Sequence, residues 1–381
     1  MPSSTAHRFD DVEISLIRQI NALATPLSLN LGIGEPNIEP DEAFREMAAR
    51  AIREDSWHYT ANAGTLELRS AIAAMMGGTV DPRTGVCVTA GTEEALFAIM
   101  QAFVEPGDEV LIPNPGFVAY GTLARLAGAQ VLTYQLDPDR WAIDFESLER
   151  AVSPRTKLVI VNSPSNPTGG VIDDVALTRL AALADERDFL VVSDEVYREI
   201  HYGSRPPTLW GKSDNAVVVN GLSKSHSMTG LRLGWAVAPE RLMGPIIKAH
   251  QYIATCASSV AQRLAGMVLS DHAWNDDWLR RMRQRFEEQR DAAVFAAAHE
   301  LDTSLPAPAG AFYLFVPVPR CNSLELARSL ATDAAILTIP GIAFGSAGEG
   351  FLRISYAAPI ETITSGIERI GRFLREPAPG T

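Results

Sequence analysis

Short β-branched runs alternate with longer helical stretches through the middle of the chain. Val86-Cys87-Val88-Thr89 precedes GTEEALFAIMQAFV, and Glu109-Val110-Leu111-Ile112 precedes FVAYGTLARLAG. Lys157-Leu158-Val159-Ile160-Val161 precedes VALTRLAALADERD. Phe189-Leu190-Val191-Val192 and Ala216-Val217-Val218-Val219 complete the series. Apolar runs without alternation, bounded by turn residues, predict strands covered on both faces. Their alternation with helices predicts an α/β domain over residues 41–259, with a mostly parallel sheet between helices.

After Ser259 the pattern changes. AQRLAGMVLSD and WNDDWLRRMRQRFEEQRDAAVFAAAHEL carry helical periodicity, and GAFYLFVPV, AILTI and GFLRISYA read as strands. They predict a smaller α+β domain over residues 260–381. Residues 1–40 are assigned to it as well, because the amphipathic segment VEISLIRQINALA has no core of its own. A length of 381 residues also exceeds what one ordinary core organises.

Composition narrows the partners. Lys+Arg total 33 against 46 Asp+Glu, a net charge of -13, which argues against general nucleic-acid binding. Cys87, Cys256 and Cys321 are scattered with no C-x-x-C, so a reducing compartment without structural zinc is expected. No apolar signal segment opens the chain and no apolar run reaches 18 residues. A cytoplasmic protein with no membrane partner and no metal is the expectation.

Ligands of open α/β sheets bind beyond the carboxyl ends of the strands. Gly91-Thr92-Glu93 follows the first run and opens a helix; Phe117 follows the second. The third run leads to Asn166, the fourth to Asp194 and Tyr197, and the fifth to Ser223 and Lys224, with Arg232 eight residues on. Taken singly, each residue has an ordinary reading as a cap, a turn, a core aromatic or a solvated charge. Together they suit pyridoxal 5'-phosphate. A lysine amine meets its aldehyde, an acid keeps its ring nitrogen protonated, and a helix start with an arginine takes its phosphate. Phe117 offers a ring to stack on, and Asn166 and Tyr197 offer donors to the phenolate oxygen.

The stretch NGLSKSHSMTGLRLGWA resembles the lysine signature of class I aminotransferases, the aspartate aminotransferase-like, fold-type I enzymes that use pyridoxal phosphate. LGIGEP, YTANAG, GTEEAL, NSPSNPTGG, SDEVY, GAFYLF and FLRISYA follow the same family's blocks in order. The resemblance implies a seven-stranded sheet and a homodimer with shared active sites. It implies that Lys224 forms the Schiff base and shuttles a proton, that Asp194 pairs with the ring nitrogen, and that Asn166 and Tyr197 bind the phenolate oxygen. Phe117 would stack on the ring, with Gly91, Thr92, Glu93, Ser223 and Arg232 around the phosphate. Tyr59 would reach the phosphate of the neighbouring subunit. Arg353 and Asn166 would bind the substrate, its α-carboxylate on Arg353, with Gly34 close by.

Two positions depart from the family pattern. Gly221 stands where many members carry a phosphate-binding serine, so one contact is expected to be missing. Glu93 stands where some members that take acidic substrates carry a lysine, which weakens an aspartate-specific reading. The implied activity is transfer of an amino group from an L-amino acid to a 2-oxo acid. A β-lyase, cyclase or oxidase on the same scaffold shares Lys224 and Asp194 and stays open. A ligand-sensing regulator would need an attached DNA-binding module, for which a resemblance starting near residue 13 leaves no room. Trp210-Gly211-Lys212-Ser213 lacks the first glycine of a phosphate loop, and Gly221-Leu222-Ser223 lacks the second glycine of a nucleophile elbow.

Overall fold

The computed structural model describes residues 6–10, 12–54, 57–303, 305–318 and 322–375. Cys321 lies outside them. The chain begins with α1 (Leu16–Asn21), β1 (Leu29–Asn30), α2 (Glu42–Glu54), α3 (Leu66–Met75), β2 (Val86–Thr89), α4 (Thr92–Phe103), β3 (Glu109–Asn114) and α5 (Ala119–Leu126). It continues with β4 (Gln130–Gln135), α6 (Phe145–Ala151), β5 (Thr156–Asn162), α7 (Asp174–Arg187), β6 (Leu190–Asp194), β7 (Ala216–Gly221) and β8 (Gly234–Val237). Then come α8 (Glu240–Ala254), α9 (Ser259–Ser270), α10 (His272–Glu300), β9 (Tyr313–Pro317), α11 (Ser323–Asp333), β10 (Ile336–Leu337), β11 (Ile339–Pro340), β12 (Phe351–Ser355) and α12 (Ile360–Arg375).

Seven strands form one sheet in the order β2-β8-β7-β6-β5-β3-β4. Only β8 runs against its neighbours. Side chains alternate across it: Leu158 and Ile160 of β5 enter one apolar cluster, Val159 and Val161 the other. Val217 and Val219 of β7 likewise oppose Ala216 and Val218. Both faces are covered by helices, so the strand sequences are apolar throughout.

All five strands predicted from apolar runs are present. The other two escape that pattern. β4 is an edge strand with mostly half-exposed positions, QVLTYQ, and β8 is four residues long. The amphipathic VEISLIRQINALA is helical only over α1, whose start is capped by Ser15. AILTI forms two strands rather than one: β10 pairs with β1, and β11 with β12.

A further apolar cluster, apart from those on the two sheet faces, joins Ile20 and Leu31 to residues of α10, β9, α11, β12 and α12. Ile20 and Leu31 thus share a core with the C-terminal third. Ala261, Leu264, Ala265, Val268 and Leu269 of α9 instead pack with the sheet's own core. A boundary at 259/260 would cut this helix from the surface it buries, and by packing the division falls near α10. Among the described residues, no helix is long and apolar enough to cross a membrane.

Candidate active site

Strand register brings the site together. Asn162 lies opposite Asp194 across β5 and β6, Gly221 opposite Gly234, and Gly234 opposite Thr89. The ends of β2, β5, β6 and β7 therefore share one edge, where a cavity of about 860 Å³ opens. Gly34, Thr92, Glu93, Phe117 and Asn166 line it. So do Asp194, Tyr197, Ser223, Lys224, Arg232 and Arg353. Gly91 sits just behind the lining, as the residue before α4. Tyr59 is not brought in: it is 85% exposed and does not line the cavity of its own chain.

Asp194, Lys224 and Arg353 face this space from three different elements. Asp194, at the end of β6, is buried; its Oδ2 accepts a 2.8 Å hydrogen bond from the Tyr120 hydroxyl and its Oδ1 a 3.2 Å bond from the Val196 N–H. Burial pushes its carboxyl up to about 6, against the pull of Tyr120, the Val196 N–H and Lys224. Lys224 Nζ donates to the Gly34 carbonyl at 2.6 Å. Burial brings its amine down to about 8; Glu35 opposes that shift, while Arg353 and Arg232 add to it. Arg353 on β12 is 1% exposed and has no carboxylate partner among the described residues. Its Nη1 donates to Asn166 Oδ1 at 2.9 Å, its Nη2 to the Gly32 carbonyl, and its Nε has no partner. Loss of water lowers its pKa.

The start of α4 lines the same cavity. Gly91 has φ +94°, which a side chain rarely adopts. A Cβ there would also lie 2.8 Å from an Arg232 guanidinium nitrogen. At Gly234 a Cβ would lie 2.5 Å from the Thr92 amide, so β8 and the helix start touch backbone to backbone. The same closeness accounts for Gly221: its Cβ would fall 2.9 Å from the Leu233 carbonyl oxygen. A serine there would require this strand pair to move apart. Free amides at a helix start beside a guanidinium make a site for an anion.

Three residues of the site were not singled out from sequence, or were given another part. Asn162 donates to the Asp194 carbonyl at 2.9 Å and accepts from the Asn166 amide at 2.7 Å, locking two strand ends together. Tyr313 meets the Tyr197 hydroxyl at 2.8 Å, and the Arg353 guanidinium lies 4.5 Å from its ring centre. Tyr120 offers apolar pocket surface by its residue type, yet its hydroxyl is committed to Asp194. Only the position of Asn162 directly after a strand signalled a role. The lysine loop is held from behind by α10, where Trp278 donates to the Ser225 carbonyl at 2.8 Å and Asn275 pairs with His226 at 2.7 Å.

Asp194 gives the free protein a distinctive pH dependence. A carboxyl whose folded pKa lies above its unfolded value binds extra protons in the folded state between the two. Its stabilising share is full below about pH 4 and is lost as pH rises through about 6. Asp194→Asn has nothing to titrate. Stripped of bound small molecules, it is expected to exceed wild type at pH 7.5 by about 3 kcal/mol in chemical denaturation, with the gap closing below pH 4. Parallel stability curves for the two proteins would contradict the burial of a charge here.

The chain and its fold have counterparts. Residues 28–370 match the family model described as aminotransferase class I and II. The chain is 34% identical to aromatic-amino-acid aminotransferase 2 of Thermococcus litoralis, over 97% of this chain and 98% of that protein. It is 35% identical to an aspartate aminotransferase of Pyrococcus abyssi, with the same coverage. The structure of Thermus thermophilus aspartate aminotransferase with maleate superposes with a TM-score of 0.91 at 30% identity, covering 97% of this chain and 99% of that one. These matches favour amino transfer over the β-lyase, cyclase or oxidase reading. The chain belongs to the class I and II aminotransferase family, with the fold-type I architecture of the aspartate aminotransferase-like enzymes.

Proposed function

We propose that this cavity holds pyridoxal 5'-phosphate on Lys224 and that the enzyme moves an amino group from an L-amino acid to a 2-oxo acid. One observation carries the reading: Lys224, Asp194 and Arg353 open into a single cavity that the start of α4 and Arg232 also line. The donor set fits the cofactor. Arg232 and the amides after Gly91 suit a phosphate, and buried Asp194 suits a ring N–H. Asn166, with its Oδ1 engaged by Arg353, would give its amide donors to the phenolate oxygen, and Tyr197 would add a hydroxyl. When bound, the cofactor supplies an aldehyde carbon and a protonated ring that draws electrons from the substrate.

The remaining work belongs to the chain. Lys224 Nζ, half neutral at about pH 8, is the nucleophile and afterwards the base that takes the proton from the amino acid's Cα. Arg353 receives the α-carboxylate: a buried guanidinium with no counter-ion among the described residues, two of its five N–H groups engaged and its Nε unpaired, is a ready anion site. Asp194 stays charged to hold the ring proton. Phe117, edge-on to Tyr120 at 5.6 Å, offers its face to the ring.

Mixing the loaded enzyme with an amino acid and no acceptor tests the reaction. The expected result is one equivalent of 2-oxo acid per site and then a halt, relieved by adding a different 2-oxo acid. Continuous product, or ammonia release, would contradict transfer. The same assay ranks donors. Glu13, Glu35 and Glu93 line the cavity, and neither Glu13 nor Glu93 has a hydrogen bond or ion pair among the described residues. Aspartate is therefore expected not to lead neutral and basic donors. A lead of about a hundredfold in kcat/KM over all of them would refute this view of the wall.

We also propose a homodimer in which Tyr59 serves the partner's phosphate. Exposed Tyr59, Trp57 and Tyr252 support a covering partner, and Asn62 ties the Tyr59 loop to the end of α8 at the Thr255 carbonyl. Tyr59→Phe and Lys224→Ala, each impaired alone, should complement when mixed. A mixed dimer holds one site with both residues intact, so full exchange restores roughly a quarter of wild-type activity. No recovery after demonstrated exchange would rule out sharing.

A further inference from the structure

We propose that Tyr120 is a positioning residue of this enzyme: its hydroxyl orients the Asp194 carboxylate and keeps it charged for its partner in the cavity. This rests on the proposed role of Asp194 opposite the cofactor's ring nitrogen.

The geometry leaves that task to Tyr120. Asp194 is fixed along its backbone by Ser163 and Asn162, which both donate to its carbonyl. These bonds place the residue without choosing the plane of its carboxylate. Two donors choose it: the Val196 N–H at 3.2 Å on Oδ1 and the Tyr120 hydroxyl at 2.8 Å on Oδ2. Tyr120 is the only side chain among the described residues that hydrogen-bonds this carboxylate. The tyrosine is itself fully buried. Its helix, α5, packs it among Leu123, Ala124, Leu190 and Val192, all apolar. In such surroundings a carboxylate keeps its charge only through donors and nearby cations. Lys224 and Tyr197 are the other titratable groups acting on Asp194. The lysine amine is the one group of these that changes partner as the reaction proceeds, so the tyrosine hydroxyl is the constant donor. The same ring supports Phe117 edge-on, which couples the orientation of the acid to the stacking face.

A purely structural tyrosine would behave differently from a positioning one, and Tyr120→Phe separates the two because it removes one oxygen and keeps the ring. In the free protein, the pH at which stability falls through titration of Asp194 is expected to rise from about 6. In the loaded enzyme, kcat is expected to fall about tenfold, with the donor's KM and cofactor content nearly unchanged. In an Asp194→Asn background, Tyr120→Phe should add less than about a twofold loss, because the group it serves is gone. An unmoved pH midpoint, an unchanged kcat, or an equal loss in both backgrounds would overturn the proposal. The midpoint is measured without cofactor. If the wild-type enzyme fails to transfer an amino group while Tyr120→Phe still moves the midpoint, the reading of the reaction is at fault and the Tyr120–Asp194 coupling stands.

Discussion

Charge held away from water is the constraint on which the rest of this structure depends. Asp194, Lys224 and Arg353 come from β6, from the loop after β7 and from β12, and burial pushes each toward its neutral form. Groups placed this way destabilise the fold that carries them, and clusters of them mark functional sites. Here the apolar sheet faces and the second cluster around α10 and α12 offset that cost. Hydrogen-bond partners then set the groups' directions: the Gly34 carbonyl for the lysine, the Asn166 side chain and the Gly32 carbonyl for the arginine, the Val196 N–H and the Tyr120 hydroxyl for the aspartate.

The sheet supplies the rigidity this arrangement needs. Because Asn162 and Asp194 are register partners and Asn162 accepts from the Asn166 amide, a shift of either strand would separate Asn166 from Asp194. Glycines do the comparable job at the start of α4. Gly221 and Gly234 let β7, β8 and the start of α4 approach backbone to backbone, and the site gains its wall by omitting side chains. The seemingly missing serine at Gly221 is thus part of the construction.

Much of this was legible in the sequence, for physical reasons that differ by element. Strands buried on both faces announce themselves as apolar runs, so β2, β3, β5, β6 and β7 and the polar residues after them could be placed. An edge strand such as β4 and a four-residue strand such as β8 carry too little pattern. The convergence of Arg353 with Asn166 was readable only through family resemblance, since 187 residues separate them. Tyr120 and Tyr313 were hidden because a buried tyrosine reads as core; only the partner of its hydroxyl reveals more. The position of α9 was misjudged because its apolar face fits either core, and contacts with α2 and α3 decide the matter.

Lysine usage makes the central claim easy to test. The chain has four lysines, Lys157, Lys212, Lys224 and Lys248, and only Lys224 lines the cavity. Lys157 and Lys248 are exposed, and Lys212 pairs with Asp174 at 2.7 Å. The most direct measurement is to load the protein with pyridoxal phosphate, reduce it with borohydride, digest it and locate the modified peptide. The account predicts one label per chain, on the peptide containing Lys224. A label on any other lysine, with Lys224 unmodified, would contradict it.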